Sequence, residues 1–174
     1  MIRPLATVAL VLTATAAVID AQAPPRDAVL KAAREVIGAA RYATLSSVDE
    51  LGGYLYSRVV DPFPPEANFT IWIGTNAESR KVQQLTRNPR VVLLYFDAPR
   101  QHYVSIMGSA TVVRDPKEKA RRFKPEWKAF YKNGSDGDDY VLLRVSPSQL
   151  EIVAESLGMK NEPATWRPVT VYLP

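Results

Sequence analysis

The chain is expected to fold as an α+β domain around a small antiparallel β-barrel with flanking helices. Three observations predict this. Six or more short stretches carry strand patterning, bounded by turn or proline-rich segments. Two or three helical patterns are interspersed among them without regular alternation. The helical pattern at Ser79–Arg87 is too brief for a regular parallel crossover, which disfavours a doubly wound sheet.

The elements follow in order. Met1-Ile2-Arg3 is a short positive leader, and Leu5 to Val18 is apolar apart from Thr7, Thr13 and Thr15. Ala21-Gln22-Ala23 then offers small residues at the two positions a signal peptidase reads. That apolar core spans 14 residues, short of the roughly 20 of a transmembrane helix. We therefore expect residues 1–23 to be a cleaved secretory signal and 24–174 to be a single secreted or periplasmic domain; an uncleaved anchor is the alternative. The single Arg3, rather than a pair, favours export in the unfolded state.

Asp27 to Ala40 places Val29, Ala32, Ala33, Val36, Ile37 and Ala40 at helical spacing, with Pro25 or Asp27 near the start. Arg41–Val48 alternates as a half-buried strand, and Asp49-Glu50-Leu51-Gly52-Gly53 is turn chemistry. Tyr54–Val60 then returns, so a hairpin is predicted. Asp61–Ala67 contains Pro62, Pro64 and Pro65 and reads as a loop. Phe69–Ile73 is the next strand, followed by a turn at Gly74–Ala77 and a helix from about Ser79 to Arg87 that stops at Asn88-Pro89. Arg90–Phe96 reads as a buried strand and Tyr103–Arg114 as a longer one, interrupted at Gly108.

A helix from about Pro116 to Tyr131 is kinked or divided by Pro125, and Asn133–Asp139 is an acidic loop. Tyr140–Val145 and Leu150–Val153 read as two strands either side of Ser146-Pro147-Ser148; the tail from Gly158 is mostly irregular.

Composition narrows the functional classes. With 47% hydrophobic and 23% charged residues the 174-residue chain is an ordinary globular one. The net charge of +4 is mild. Its densest basic stretch, Lys117–Lys132, is interleaved with aromatics, and a solvated amphipathic helix is favoured over a nucleic-acid patch. No cysteine is present, which excludes disulfides, thiol nucleophiles and thiolate metal sites. His102 is the single histidine. No metal site is expected, and a Ser-His-Asp triad would have to be built on His102, which we read as a loop residue.

The chemistry concentrates at Thr75 and Ser79-Arg80-Lys81. A helix N-terminus presents unpaired N–H groups and a partial positive charge, so it suits an anion. Ser79 can cap the helix or donate its hydroxyl; Arg80 offers a planar fork and Lys81 a mobile point charge. Two cations at a helix start oppose the dipole, and a bound anion would offset that. The alternative is a capped surface helix with solvated basic residues. Arg58 lies in a strand pattern and needs a partner: a phosphate shared with Arg80 and Lys81, or Asp61 or Glu66.

These residues carry a resemblance. Trp72–Ala110, with T-N-x-x-S-R-K and N-P-R-V in order, resembles the pyridoxamine 5'-phosphate oxidase-like flavoproteins, and Ala40–Val60, which carries S-R-V ahead of them, resembles their general stress protein branch. The likeness spans about Ala39 to Leu150. It implies a six-stranded antiparallel split β-barrel of Greek-key type that binds FMN. By position, it implies that Arg58, Arg80 and Lys81, with Ser79, contact the FMN phosphate. Val59 and Val60 would lie by the isoalloxazine, and Gly74 and Thr75 on the ribityl-phosphate side. Gln101, or its rival Tyr103, would touch the flavin, and Trp166-Arg167 matches only by loose analogy. The resemblance further implies a homodimer with flavin sites at the interface; Trp72, Tyr95, Tyr103 and Trp127 are read as aromatic surface compatible with one.

The resemblance thus implies an FMN-dependent oxidoreductase acting on a small molecule or electron donor. Alternatives are a flavin-binding carrier or sensor without turnover, or the same barrel holding a deazaflavin or haem, for which His102 is the single histidine ligand. Pro163–Pro174 departs from the C-terminal motif with which true pyridoxamine phosphate oxidases grip their substrate, so vitamin B6 oxidation is not implied. Export also requires that flavin be acquired outside the cytoplasm, or that another ligand replace it.

Overall fold

The structure is a computed structural model that describes residues 23–174. The expected leader, apart from Ala23, lies outside the described residues. The elements run α1 (Arg26–Ala40), β1 (Ala43–Val48), β2 (Leu55–Val60), β3 (Ile71–Asn76), α2 (Arg80–Arg87), β4 (Arg90–Asp97), β5 (His102–Val113), α3 (Pro116–Arg121), β6 (Tyr140–Val153) and β7 (Val169–Tyr172). All strand pairs are antiparallel, in the order β2-β1-β4-β5-β6-β3, and β7 adds to β6. The result is a curled six-stranded half-barrel with flanking helices.

Strand alternation places Leu45, Leu93, Ile106 and Leu150 on one face, where they are fully buried. Successive strands align them side by side, Leu45 with Leu93, Leu93 with Ile106 and Ile106 with Leu150. This packed layer is the barrel core. The apolar stripe Val29, Ala32, Ala33, Val36 and Ile37 of α1 joins it, packed chiefly against β4 and β5.

The barrel seam is split. β2 and β3 are the two ends of the strand order, and they meet at one bridge, Pro62 to Ile73, supported by Phe63 N–H donating to Trp72 O at 2.8 Å. Pro62, Pro64 and Pro65 lack the N–H that would continue the pairing. Elsewhere along the seam α2 sits across the gap: Gln84 reaches both Ser47 on β1 and Arg58 on β2.

Three sequence expectations are corrected. First, β6 is one strand through Pro147. The register slips between Met107 and Gly108, where Gln149 and then Pro147 find partners and Ser148 is the extra residue. A side chain at Gly108 would lie 2.3 Å from Ser146 O, so glycine alone admits this close approach. Second, the turn expected at Gly74 begins later, because β3 continues to Asn76 paired with β6. Third, the tail is not wholly irregular: Val169–Tyr172 pairs with β6 as β7. Pro125 does divide the predicted long helix, into α3 and a 3-10 segment Pro125–Ala129.

A second, smaller apolar cluster lies on the other face of β3 and β6. Trp72, Tyr140 and Leu142 are buried there beneath Phe63, Phe123, Trp127 and Tyr131. The Trp127 and Tyr140 rings lie 5.9 Å apart, and Phe123 and Tyr140 meet edge to face at 5.2 Å.

Candidate functional site

The split seam places three cations together. Arg58 lies on the core-facing side of β2, opposite Leu45. Its Nη1 donates to Ser47 Oγ at 2.8 Å and more weakly to Leu45 O at 3.3 Å; its Nη2 donates to Gln84 Oε1 at 2.8 Å. Neither Asp61 nor Glu66 pairs with it, since Asp61 bonds Lys124 and Glu66 bonds Arg122. Arg80, the first residue of α2, stacks over the Tyr56 ring of β2 at 4.2 Å. Lys81 follows on the same turn.

Electrostatics confirm the proximity. The Arg58 guanidinium is held below its ordinary pKa, first by burial and then by Arg80. Lys81 is likewise lowered, first by burial and then by Arg58. Among the described residues no carboxylate forms an ion pair with any of the three. Arg58 and Lys81 are half-buried and Arg80 is exposed beside them; like charges gathered without an ion-pair partner disfavour one another, and an incoming anion relieves them.

Ser79 stands at the N-cap of α2, but its side chain makes no capping hydrogen bond, and its Oγ is buried without a partner. Gln84 spends its carbonyl oxygen on Arg58 and Ser47, leaving Nε2 buried and unpartnered. Buried donors without acceptors are uncommon in folded proteins. Here two of them adjoin three cations that form no ion pair among the described residues. This donor set fits a phosphate ester such as that of FMN.

The remaining expected residues are distributed as follows. Val60 is buried in the core, whereas the Val59 side chain is 71% exposed on the outer face of β2. Thr75 is buried in β3, two residues after Ile73 of the core; Gly74 lies beneath the Trp127 ring on the opposite face. Gln101 occupies the β4–β5 turn with a positive φ of 56°. Tyr103 is on β5, opposite Phe96, on the sheet's outer face. The structure therefore brings Arg58, Ser79, Arg80 and Lys81 together. Gln101 and Tyr103 stand apart from them, with β1 and β4 intervening between β2 and β5.

Ser47 and Gln84 were missed in the sequence, although they orient Arg58. Their signals were faint: Ser47 alternates with Leu45 on β1, and Gln84 lies four residues after Arg80, hence on the same helix face.

His102 is not a loop residue. It begins β5, is buried, and approaches Ser156 Oγ through Nε2 at 3.1 Å. Its Nδ1 has no partner and nearby Asp97 is bonded to Arg100, so no Ser-His-Asp triad is assembled. The basic stretch is also engaged: Lys119 Nζ donates to Gly137 O at 2.8 Å, Arg122 pairs with Glu66 and Glu118, and Lys124 pairs with Asp61. Tyr95 and Trp72, expected at the surface, are buried; the exposed aromatics include Tyr42, Tyr54, Phe96, Phe130, Trp166 and Tyr172. No group of acidic or histidine side chains suited to a metal occurs among the described residues, and no helix there is long and apolar enough to cross a membrane.

Comparison with known proteins agrees with the fold. None of the curated proteins matches the chain in sequence. Among solved structures, a Clostridium acetobutylicum protein related to general stress protein 26 superposes with a TM-score of 0.70 at 16% identity, over 85% of this chain and 96% of that one. General stress protein 26 of Bacillus anthracis gives 0.62 at 19% identity, over 80% and 98%. A pyridoxamine 5'-phosphate oxidase-related, FMN-binding protein of Nostoc punctiforme gives 0.56 at 15% identity, over 88% and 98%. At these identities the likeness is one of fold. The sequence profile of pyridoxamine 5'-phosphate oxidase, however, matches residues 29–154, from the first buried turn of α1 to the end of β6 and including every residue of the cation cluster, and on that span the chain belongs to this family.

Proposed function

We propose that the chain is an exported FMN-binding flavoprotein that acts as an oxidoreductase. The observation that carries this reading is the cluster of Arg58, Arg80 and Lys81, none of which forms an ion pair among the described residues, beside the unpartnered Ser79 hydroxyl. Arg58, held in place by Ser47 and Gln84, would supply a preset guanidinium to the phosphate, with Arg80, Lys81 and Ser79 completing the shell. Gly74 and Thr75 would flank the ribityl chain, and Val59 and Val60 the ring. When bound, the flavin supplies hydride or electron transfer. The description of the Nostoc relative as FMN-binding supports the choice of ligand.

The outer sheet face supports a homodimer. Leu55 (66% exposed), Val59 (71%), Leu94 (40%) and Phe96 (56%) lie on it in adjacent strands. Thr44 pairs with both Val59 and Leu94, so these belong to one continuous apolar surface. In such a dimer Gln101 and Tyr103 would be offered to the flavin held by the other copy. Sedimentation should report two copies, and Leu94→Glu should leave one.

The deciding experiment compares FMN with riboflavin. Arg80→Ala combined with Lys81→Ala should weaken FMN by about a hundredfold or more, since each charged hydrogen bond contributes roughly 1.5–3 kcal/mol. Riboflavin, which lacks the phosphate, should be little affected. Equal losses for both would overturn the assignment. Failure of any added electron donor to bleach bound FMN would favour a flavin carrier or sensor over an oxidoreductase. Export is tested separately, by whether the periplasmic protein begins near Pro24.

A further inference from the structure

A cavity lies between α1 and the proline loop. It is bounded by the C-terminal half of α1 (Arg34, Ile37, Gly38) and the following Arg41, by the proline loop Asp61–Pro65, and by Tyr95 and Lys124, and has a volume of about 410 Å³. That lies within the range of small-molecule sites, roughly 300–1,000 Å³. None of the three cations of the split seam lines it.

Three features indicate what it accommodates. The first is a lone buried donor. Tyr95 lines the cavity and is 1% exposed, yet its hydroxyl has no hydrogen-bond partner. Burial raises its pKa, so the phenol remains protonated and can donate. A buried hydroxyl without an acceptor loses its hydration uncompensated, which a ligand oxygen would correct.

The second is Gly38. Glycine inside a helix is destabilising by about 1 kcal/mol relative to alanine. Nothing lies within 4 Å of the position a Cβ would take at Gly38, so no protein neighbour requires it. Gly38 is exposed where it lines the cavity, so the missing side chain leaves the mouth open.

The third is charge. Asp61 is neutralised by Lys124 at 2.7 Å. Arg34 donates to the carbonyls of Pro65, Glu66 and Ala67 and covers the Phe69 ring. Arg41 has no acidic partner among the described residues. The lining thus carries an excess of positive charge over walls of Ile37, Phe63 and prolines.

We propose that this cavity binds a planar aromatic carboxylate: the ring lies among Ile37, Phe63 and the prolines, the Tyr95 hydroxyl donates to an oxygen, and Arg41 balances the charge. The site does not depend on flavin, and its test uses flavin-free protein.

The probe is 2-naphthoate, followed by calorimetry, with 2-naphthalenemethanol as its neutral counterpart. The wild-type chain should bind the acid saturably and the alcohol at least tenfold more weakly. Gly38→Leu should abolish binding of the acid while leaving thermal stability equal or higher, because its side chain enters empty space. Tyr95→Phe, which removes one unpartnered oxygen, should weaken the acid about fivefold to tenfold and leave folding intact. Both variants should bind FMN as the wild type does. Absence of saturable 2-naphthoate binding, equal binding of the alcohol, or unchanged binding by folded Gly38→Leu or Tyr95→Phe would overturn the proposal.

Discussion

Two sets of cations in this molecule differ in what faces them. Beside the proline loop, Arg122 is nearly buried, paired with Glu66 and Glu118, and laid over Trp72 at 3.8 Å; neighbouring Lys124 pairs with Asp61. At the split seam Arg58 is held by Ser47 and Gln84 and Arg80 by the Tyr56 ring, yet neither they nor Lys81 has an acidic partner among the described residues. Glu66 shows how complete the first arrangement is, since it also accepts from Trp72 Nε1 at 2.9 Å. The first set stabilises the fold. The second weakens it slightly, and that residual repulsion is what the proposed phosphate would relieve.

The largest expected effect therefore falls on the first set. Arg122→Ala should lower unfolding free energy by about 3 kcal/mol, because it leaves two carboxylates and the Trp72 face without their cation. Urea denaturation measures it, and a loss under about 1 kcal/mol would erase the contrast. At the seam the opposite is expected. Lys81→Met should leave ligand-free stability unchanged or raise it by up to about 1 kcal/mol, while weakening FMN at least tenfold. A destabilised variant would mean that Lys81 has a structural partner.

The pH dependence sharpens the same point. Burial and then Arg58 hold the Lys81 ammonium below its ordinary pKa. Between the lowered value and the ordinary one, the unfolded chain binds more protons at this residue than the folded chain. Its contribution to stability thus increases with pH across that alkaline window and is flat below it. Comparing denaturant midpoints across the window should show a contribution from Lys81 that the Lys81→Met variant lacks. FMN affinity should fall over the same range, as the cation is lost.

The smallest effect belongs to Ser79. An N-cap serine commonly contributes about 1 kcal/mol, but this hydroxyl caps nothing. Ser79→Ala should change stability by less than about 0.5 kcal/mol and still weaken FMN severalfold. A full capping loss would show that the hydroxyl serves the helix.

Much of this was legible in the chain. Helical spacing marked α1, alternation and turn residues marked the β1–β2 hairpin, and Pro125 marked the division after α3; Arg90–Phe96, read as a buried strand, is β4, but Leu94 and Phe96 face outward. The motif S-R-K at a helix start also singled out the cations that the fold gathers with Arg58. Pro147 misled because a proline usually ends a central strand. Here a register shift opposite Gly108 accommodates it, and that depends on a strand 39 positions earlier in the chain. The short Val169–Tyr172 segment carries little patterning of its own and becomes a strand by pairing with an edge of β6 that β3 leaves open.

By itself the sequence determined which residues could form strands and helices, where prolines would stop a ladder, and which cations stood beside a helix start, because these follow from local sterics and periodicity. Tertiary structure alone decided which of those cations would meet an acid. Asp61 and Glu66 are closer in sequence to Arg58 than Lys124 or Arg122 are, yet the chain path turns both carboxylates toward α3 and the segment after it. Charge pairing depends on distance in space, and distance in space is settled only when the barrel closes.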